Sequence, residues 1–249
     1  MPERTLLITG AGRGIGAATA IAAARAGWQV GVNYVADESS AQAVVAAVAA
    51  AGGRAAALRA DVSDEASVER LFDEAAAKLG PVTHLVNNAG VPGRIGRIEA
   101  LDSAVLKRTF EVNVFAAFYC ARAFVRRVST KHGGPGGALV NVSSMASRTG
   151  SPGELVHYAA AKAALETFNY GLAAEVATEG IRVNAVAVGL VDTELHAEAG
   201  EPGRPDRLRP TIPMQRSGDP EEVAAAVVWL LSDASSYTTG TLLAVSGGR

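Results

Sequence analysis

Tyr158 and Lys162 stand four positions apart in the run Tyr-Ala-Ala-Ala-Lys. Residues i and i+4 of a helix share a face, so the Lys162 ammonium is expected beside the Tyr158 phenol. A phenol ordinarily titrates near pH ~10 and a neighbouring cation favours its anion, so the pairing predicts a tyrosine drawn toward neutral pH as a proton donor and acceptor. Ser143 and Ser144 precede it at a workable distance, and far upstream lies Thr9-Gly10-Ala11-Gly12-Arg13-Gly14-Ile15-Gly16. Glycines placed after a strand and at the start of a helix let the chain turn tightly, let a pyrophosphate approach, and present N–H groups at the positive end of the helix. Together these residues predict acid–base chemistry beside a bound nucleotide.

Such groups need a scaffold, and the chain alternates short β-branched runs with Ala-rich helical stretches. That pattern implies an α/β fold, a doubly wound parallel β-sheet of Rossmann type with about seven strands and helices on both faces. The strands are expected at Thr5 to Thr9, Gln29 to Tyr34, Arg54 to Arg59, Val82 to Asn87, Ala138 to Val142, Ile181 to Val186 and Thr241 to Val245. Several are continuous apolar runs, as strands covered on both faces must be. Gly27, Gly52, Gly80 and Gly180 mark helix ends, while Ser63-Asp64-Glu65 and Asp219-Pro220-Glu221 mark helix starts. Asn87-Asn88-Ala89-Gly90 closes the fourth strand, at the carboxyl edge where open sheets of this kind hold ligands. The Gly/Pro-rich stretch Ala199 to Asp206 is expected to act as a small substrate lid near positions 190–210 of a single domain spanning 1–249.

Composition narrows the partners. The 249 residues carry a net charge of -2, which gives neither a nucleic-acid footprint nor a polybasic membrane surface, so a small molecule in a pocket is expected. Met1-Pro2-Glu3-Arg4 lead directly into an apolar strand with no long apolar leader, and the expected location is cytoplasmic. Cys120 is alone and reads as a buried helix residue. No His/Cys/Asp/Glu group shows metal-ligand spacing, so no metal is expected. His157 adjoins Tyr158 but falls off its helical face, and is expected to be structural or at the substrate rim.

In their joint order these motifs resemble the short-chain dehydrogenase/reductase family, in particular its single-domain members similar to bacterial glucose 1-dehydrogenases and 3-oxoacyl-carrier-protein reductases. The resemblance covers nearly the whole chain: Thr9 to Gly16, Asp61-Val62, Asn87 to Gly90, Asn113, Ser144, and Tyr158 with Lys162. It implies that Tyr158 is the general acid or base and that Lys162 lowers its pKa while holding the nicotinamide ribose. It further implies that Ser144 polarises the substrate oxygen and that Asn113 supports a proton-relaying water. Ser144 fits the family's serine-to-tyrosine spacing better than Ser143, with the stretch Gly150 to His157 reading as one residue longer. The cofactor would lie against Gly10, Arg13, Gly14, Ile15, Gly16, Asn33, Tyr34, Asp61, Val62, Asn88, Ala89, Gly90, Gly189, Val191 and Thr193, together with Tyr158 and Lys162.

The end of the second strand, Val32-Asn33-Tyr34-Val35, has no acid to hold the adenosine ribose, and Arg13 resembles the basic residue that meets a 2'-phosphate. The expected cofactor is therefore NADP(H), with NAD(H) possible, and Asp37 and Glu38 are expected to start the next helix. The resemblance implies hydride transfer between the nicotinamide and a carbonyl or secondary alcohol, and a homotetramer paired through helices around Val105 to Val128 and Tyr158 to Thr178. The rival reading is an NADP(H)-binding regulatory protein without turnover. Two departures stand out: Val188-Gly189 lacks the family's proline, and Ser246 replaces a common aspartate.

Overall fold

In a computed structural model describing residues 4–249, seven strands form one parallel sheet in the order β3-β2-β1-β4-β5-β6-β7. The strands are β1 (Thr5–Ile8), β2 (Gln29–Tyr34), β3 (Ala55–Arg59), β4 (Val82–Asn87), β5 (Gly137–Ser144), β6 (Ile181–Val188) and β7 (Leu242–Val245). The helices are α1 (Gly14–Arg25), α2 (Glu38–Ala50), α3 (Glu65–Leu79), α4 (Ser103–Phe110), α5 (Ala116–Val128), α6 (Ala146–Thr149), α7 (Val156–Val176), α8 (Leu195–Glu198), α9 (Arg204–Leu208) and α10 (Pro220–Leu231). Met1, Pro2 and Glu3 lie outside the described residues, so the expectation drawn from the start of the chain is not addressed by the fold.

Every strand expected from the sequence is present, with no end moved by more than two residues and β2 and β4 unchanged. β1 and β2 are buried along their whole length because α1, α2 and α10 cover one face of the sheet while α3, α5 and α7 cover the other. Covered strands have no solvent face, which is why their sequences do not alternate. Asp64 caps α3 through Ser67, and Asp219 and Glu222 form a capping box at α10, as their spacing predicts.

The expected helix across Val105 to Val128 is instead interrupted. Glu111–Phe115 form one π-helical turn between α4 and α5, with Asn113 at its centre. A π-turn inserts a residue and rotates the side chains that follow it, and such turns concentrate at functional sites.

The sheet order reverses between β1 and β4, which opens a crevice at the carboxyl ends of these two strands. Thr9 Oγ1 holds the crevice together by accepting from the backbone N–H groups of Asn88 and Ala89, each at 3.0 Å. Asn88 Nδ2 donates back to the carbonyls of Thr9 and Gly10, each at 2.9 Å. Between β6 and α10 the chain crosses above the crevice carrying α8 and α9. No helix among the described residues is long and apolar enough to cross a membrane, and no group of three or more His, Cys, Asp or Glu among them could hold a metal ion.

Candidate active site

Two adjoining hollows open at the carboxyl edge of the sheet. The first, a cleft of about 420 Å³, is walled by the glycine loop, by Asn33 to Asp37 after β2, by Asp61 and Val62, by Asn88 to Val91, and by Thr193 to Leu195 with Glu198. The second, a cavity of about 300 Å³, is walled by Ser144, Met145, Leu155, Tyr158, Lys162, Gly189 to Val191, Leu195, His196, Arg204 and Leu208, among others. Ile15, Asn88, Gly90, Thr193 and Leu195 belong to both walls, so the two spaces meet there.

The first cleft has the features of a dinucleotide site. α1 begins at Arg13 with neither a capping side chain nor an acidic residue in its first turn, whereas α2 is capped by Asp37 and α3 by Asp64. Its leading N–H groups therefore remain available to an anion. Gly16 lets the loop close on itself, because a Cβ there would stand 2.7 Å from Asn88 Nδ2 and from the Gly10 carbonyl. Asn33 lines the cleft yet spends its amide internally: Oδ1 accepts from Gly10 N at 3.2 Å, and Nδ2 donates to the carbonyls of Leu58 and Ala60. It braces the glycine loop against β3. Arg13 is exposed and ion-paired to Glu198 of α8 across the mouth of the cleft. Asp37 forms part of the wall and, as expected, starts α2; hydrogen bonds from Ser40 and Ser39 hold its carboxyl down to about 2.

In the second space the structure brings Ser144, Tyr158 and Lys162 together, while Asn113 lies outside its wall, behind Gly90. β5 delivers Ser144 at its last residue, and the first two turns of α7 deliver Tyr158 and Lys162. Ser144 and Tyr158 line the same cavity wall, and Ser144 Oγ accepts from Ala146 N at 3.1 Å. Ser143 points elsewhere, donating to Glu166 Oε1 at 2.7 Å, which separates the two serines in favour of Ser144. Asn113 Nδ2 donates to the carbonyls of Val91 and Thr109, each at 2.8 Å. Its Oδ1 is buried without a partner. A Cβ on Gly90 would sit 2.7 Å from that oxygen and 3.3 Å from Lys162 Nζ, so the glycine lies between the two polar groups.

Burial dominates the electrostatics of the pair. Lys162 Nζ lies 5.6 Å from the centre of the Tyr158 ring and donates to the Val142 carbonyl at 2.9 Å. Burial pushes the Tyr158 phenol up to about 12, against the lowering effect of its Ser144 hydrogen bond and of the Arg204 charge. Burial likewise brings Lys162 from an ordinary 10.5 down to about 8, with Glu166 opposing the shift. Desolvation outweighs the pairing on which the sequence argument rested.

His157 is buried against Gly93 and is absent from the cavity wall, in line with a structural place. Thr193 lies over Gly14 and borders both spaces. Gly189 is pressed so closely to Ser246 that a Cβ would come within 2.6 Å of its Cα. Sequence reasoning missed Glu166, which also accepts from Ser147 at 2.6 Å, and missed the ion pairs of Glu154 with Arg204 and Arg207, each at 2.7 Å. Each joins residues far apart in the chain, and no local spacing signals them.

Comparison with known proteins identifies relatives that match the chain over nearly its whole length. A family model described as Enoyl-(Acyl carrier protein) reductase matches residues 10–249. The chain is 49% identical over 243 residues to the uncharacterized oxidoreductase YgfF of Escherichia coli (strain K12), covering 98% of each. Among solved structures it is similar to a short-chain type dehydrogenase/reductase from Mycobacterium marinum, with a TM-score of 0.91 and 33% identity over 98% of this chain and 94% of that one. It is similar also to a blue fluorescent protein from a metagenomic library in complex with NADPH, with a TM-score of 0.88 and 32% identity over 98% and 97% of the two chains.

Proposed function

The chain belongs to the short-chain dehydrogenase/reductase family and is thereby an NAD(P)-dependent oxidoreductase of CH–OH groups, and on that premise we propose that it interconverts a ketone or aldehyde and its alcohol with NADP(H), using Tyr158 as the proton donor and acceptor. The observation that carries this reading is the meeting of Ser144, Tyr158 and Lys162 in one cavity that adjoins the cleft walled by the glycine loop.

When bound in the cleft, the dinucleotide supplies or accepts the hydride, a step for which protein side chains have no equivalent. The uncapped start of α1 would hold its pyrophosphate, with Gly10, Gly14, Ile15 and Gly16 beneath it, and Thr193 and Val191 would lie on the nicotinamide side. Ser144 donates a hydrogen bond to the reacting oxygen and fixes its position. Tyr158, whose raised pKa keeps it protonated at neutral pH, gives its proton to that oxygen during reduction and recovers it during oxidation. Lys162 and the unpartnered Asn113 Oδ1 stand on the route by which the phenol exchanges protons. The segment over positions 190–210 acts as a lid that excludes water from this exchange.

The preference for NADP(H) rests on the wall beyond β2. Tyr34, Val35 and Ala36 offer no carboxylate, the Asp37 carboxylate is occupied by Ser39 and Ser40, and Arg13 overhangs the same cleft. Phe115, Phe118 and Tyr170 are exposed on the outer side of the helices and support a homotetramer.

The test is a panel of ketones, sugars and acyl thioesters followed through cofactor absorbance with NADPH and with NADH. NADPH should give the higher kcat/KM. Tyr158→Phe should fold, bind cofactor and lose turnover by ~10²–10⁴, the range for a positioned acid–base group. Near-normal turnover of this variant rejects the role of Tyr158, and tight NADPH binding with no carbonyl consumed would leave a nucleotide-binding regulator instead.

A further inference from the structure

Arg204, in the segment over positions 190–210, reaches the catalytic cavity, is partly buried and leaves part of its donor set without an acceptor. Its side chain is 13% exposed, and it borders the same cavity as Tyr158 and Ser144. A guanidinium carries five N–H donors in a planar fork that matches the two oxygens of a carboxylate. Arg204 does not use the fork in that way. Nε and Nη2 both donate to one oxygen, Oε2 of Glu154, at 3.2 and 2.7 Å, and Nη1 has no acceptor among the described residues.

The other oxygen of Glu154 is taken by Arg207 at 2.7 Å, and Arg207 is itself gripped by both oxygens of Glu201. Glu154 would therefore keep a cation if Arg204 turned away. Leu155, Leu190, Leu195 and Leu208 give the cavity an apolar side, while Ser151, His196 and Arg249 are among its polar residues. Its charge is close enough to the reaction centre to act on the Tyr158 phenol.

Resting on the oxidoreductase reading above, we propose that the substrate carries a carboxylate remote from its reacting carbon, captured by Arg204 within the cavity, with Glu154 as the resident acceptor that the carboxylate displaces. The substrate class is a hydroxy- or oxo-acid whose apolar body spans the distance between Tyr158 and Arg204. A buried arginine with unused donors discriminates strongly, because a neutral analogue leaves those donors unpaired while the correct ligand satisfies them.

A plain latch between α9 and the loop before α7 would use the same ion pair, and paired variants separate the two roles. The probes are 4-oxopentanoate, 5-oxohexanoate and 6-oxoheptanoate, each beside its methyl ester, with kcat/KM measured for reduction by NADPH. The wild type should favour the acid at least tenfold at the best length. Arg204→Gln should cut the acid-to-ester ratio tenfold or more, chiefly through KM. Glu154→Gln removes the competing acceptor and should hold or raise that ratio. Equal use of acid and ester by the wild type overturns the proposal, as does a fall in the ratio in both variants, which is the latch result. If no ketone is reduced, calorimetric binding of the same pairs to NADP+-loaded protein still decides: acid preference lost in Arg204→Gln supports the capture while the redox reading fails, and no preference overturns it.

Discussion

Lys162 is held where an ammonium is costly. Its pKa falls from an ordinary 10.5 to about 8 through burial, which at ~1.4 kcal/mol per unit corresponds to about 3 kcal/mol against the charged form. The unfolded chain binds this proton more tightly, so the penalty is fully present below pH 8 and fades as pH rises through the window from 8 to 10.5. Lys162→Met removes the charge and forfeits the hydrogen bond to the Val142 carbonyl, worth ~1 kcal/mol. Without cofactor, the variant should be more stable than the wild type by about 1–2 kcal/mol at pH 7 and lose that advantage by pH 10.5, while its turnover collapses. Denaturant titrations at the two pH values check this, and a variant less stable at pH 7 would show the ammonium to be a net structural asset. That Ser144, Tyr158 and Lys162 share one cavity was legible because their order along the chain is distinctive. The direction of the tyrosine shift was not legible, since burial is a property of the assembled cavity and no spacing in the sequence reports it.

At the level of elements, the glycine loop is shaped as much by its own packing as by a ligand. A Cβ on Gly16 would stand 2.7 Å from the Gly10 carbonyl and 2.9 Å from Ala11 Cα, both backbone atoms with nowhere to move, whereas the nearest atom to a Cβ on Gly12 is 3.6 Å away. Gly16→Ala should therefore spread the loop, lowering the melting temperature and weakening NADPH at least tenfold. Gly12→Ala should leave the melting temperature of the cofactor-free protein unchanged. Thermal melts and fluorescence titration distinguish them, and equal melting temperatures for Gly16→Ala and wild type would contradict the packing account. The strands were readable because a covered strand is apolar throughout, and the starts of α3 and α10 because Asp64 and Asp219 have few other reasons to stand where they do. The π-turn at Glu111–Phe115 was hidden inside an unbroken helical pattern. So was the chain of amides beneath the site, from Asn87 to Asn141 to Asn169, whose members come from β4, β5 and α7.

For the whole molecule, the exposed aromatic surface is the feature in need of a partner. Phe118 of α5 and Phe168 of α7 stack at 3.9 Å, with Phe118 45% exposed and Phe115 and Tyr170 about as open. A contiguous apolar face of this kind is ordinarily covered in an assembly. Light scattering should give four times the protomer mass, and Phe118→Glu should give a smaller species; an unchanged mass would remove this face from the interface. The same helix that presents Phe168 and Tyr170 outward begins with Tyr158 and Lys162. If the proposed tetramer clamps its outer turns, it also stiffens the turn that carries Tyr158, and subunit association and chemical competence would draw on a common free energy. By mass action, dilution would then become a variable of catalysis, with the reactive end of the helix loosening as neighbours depart.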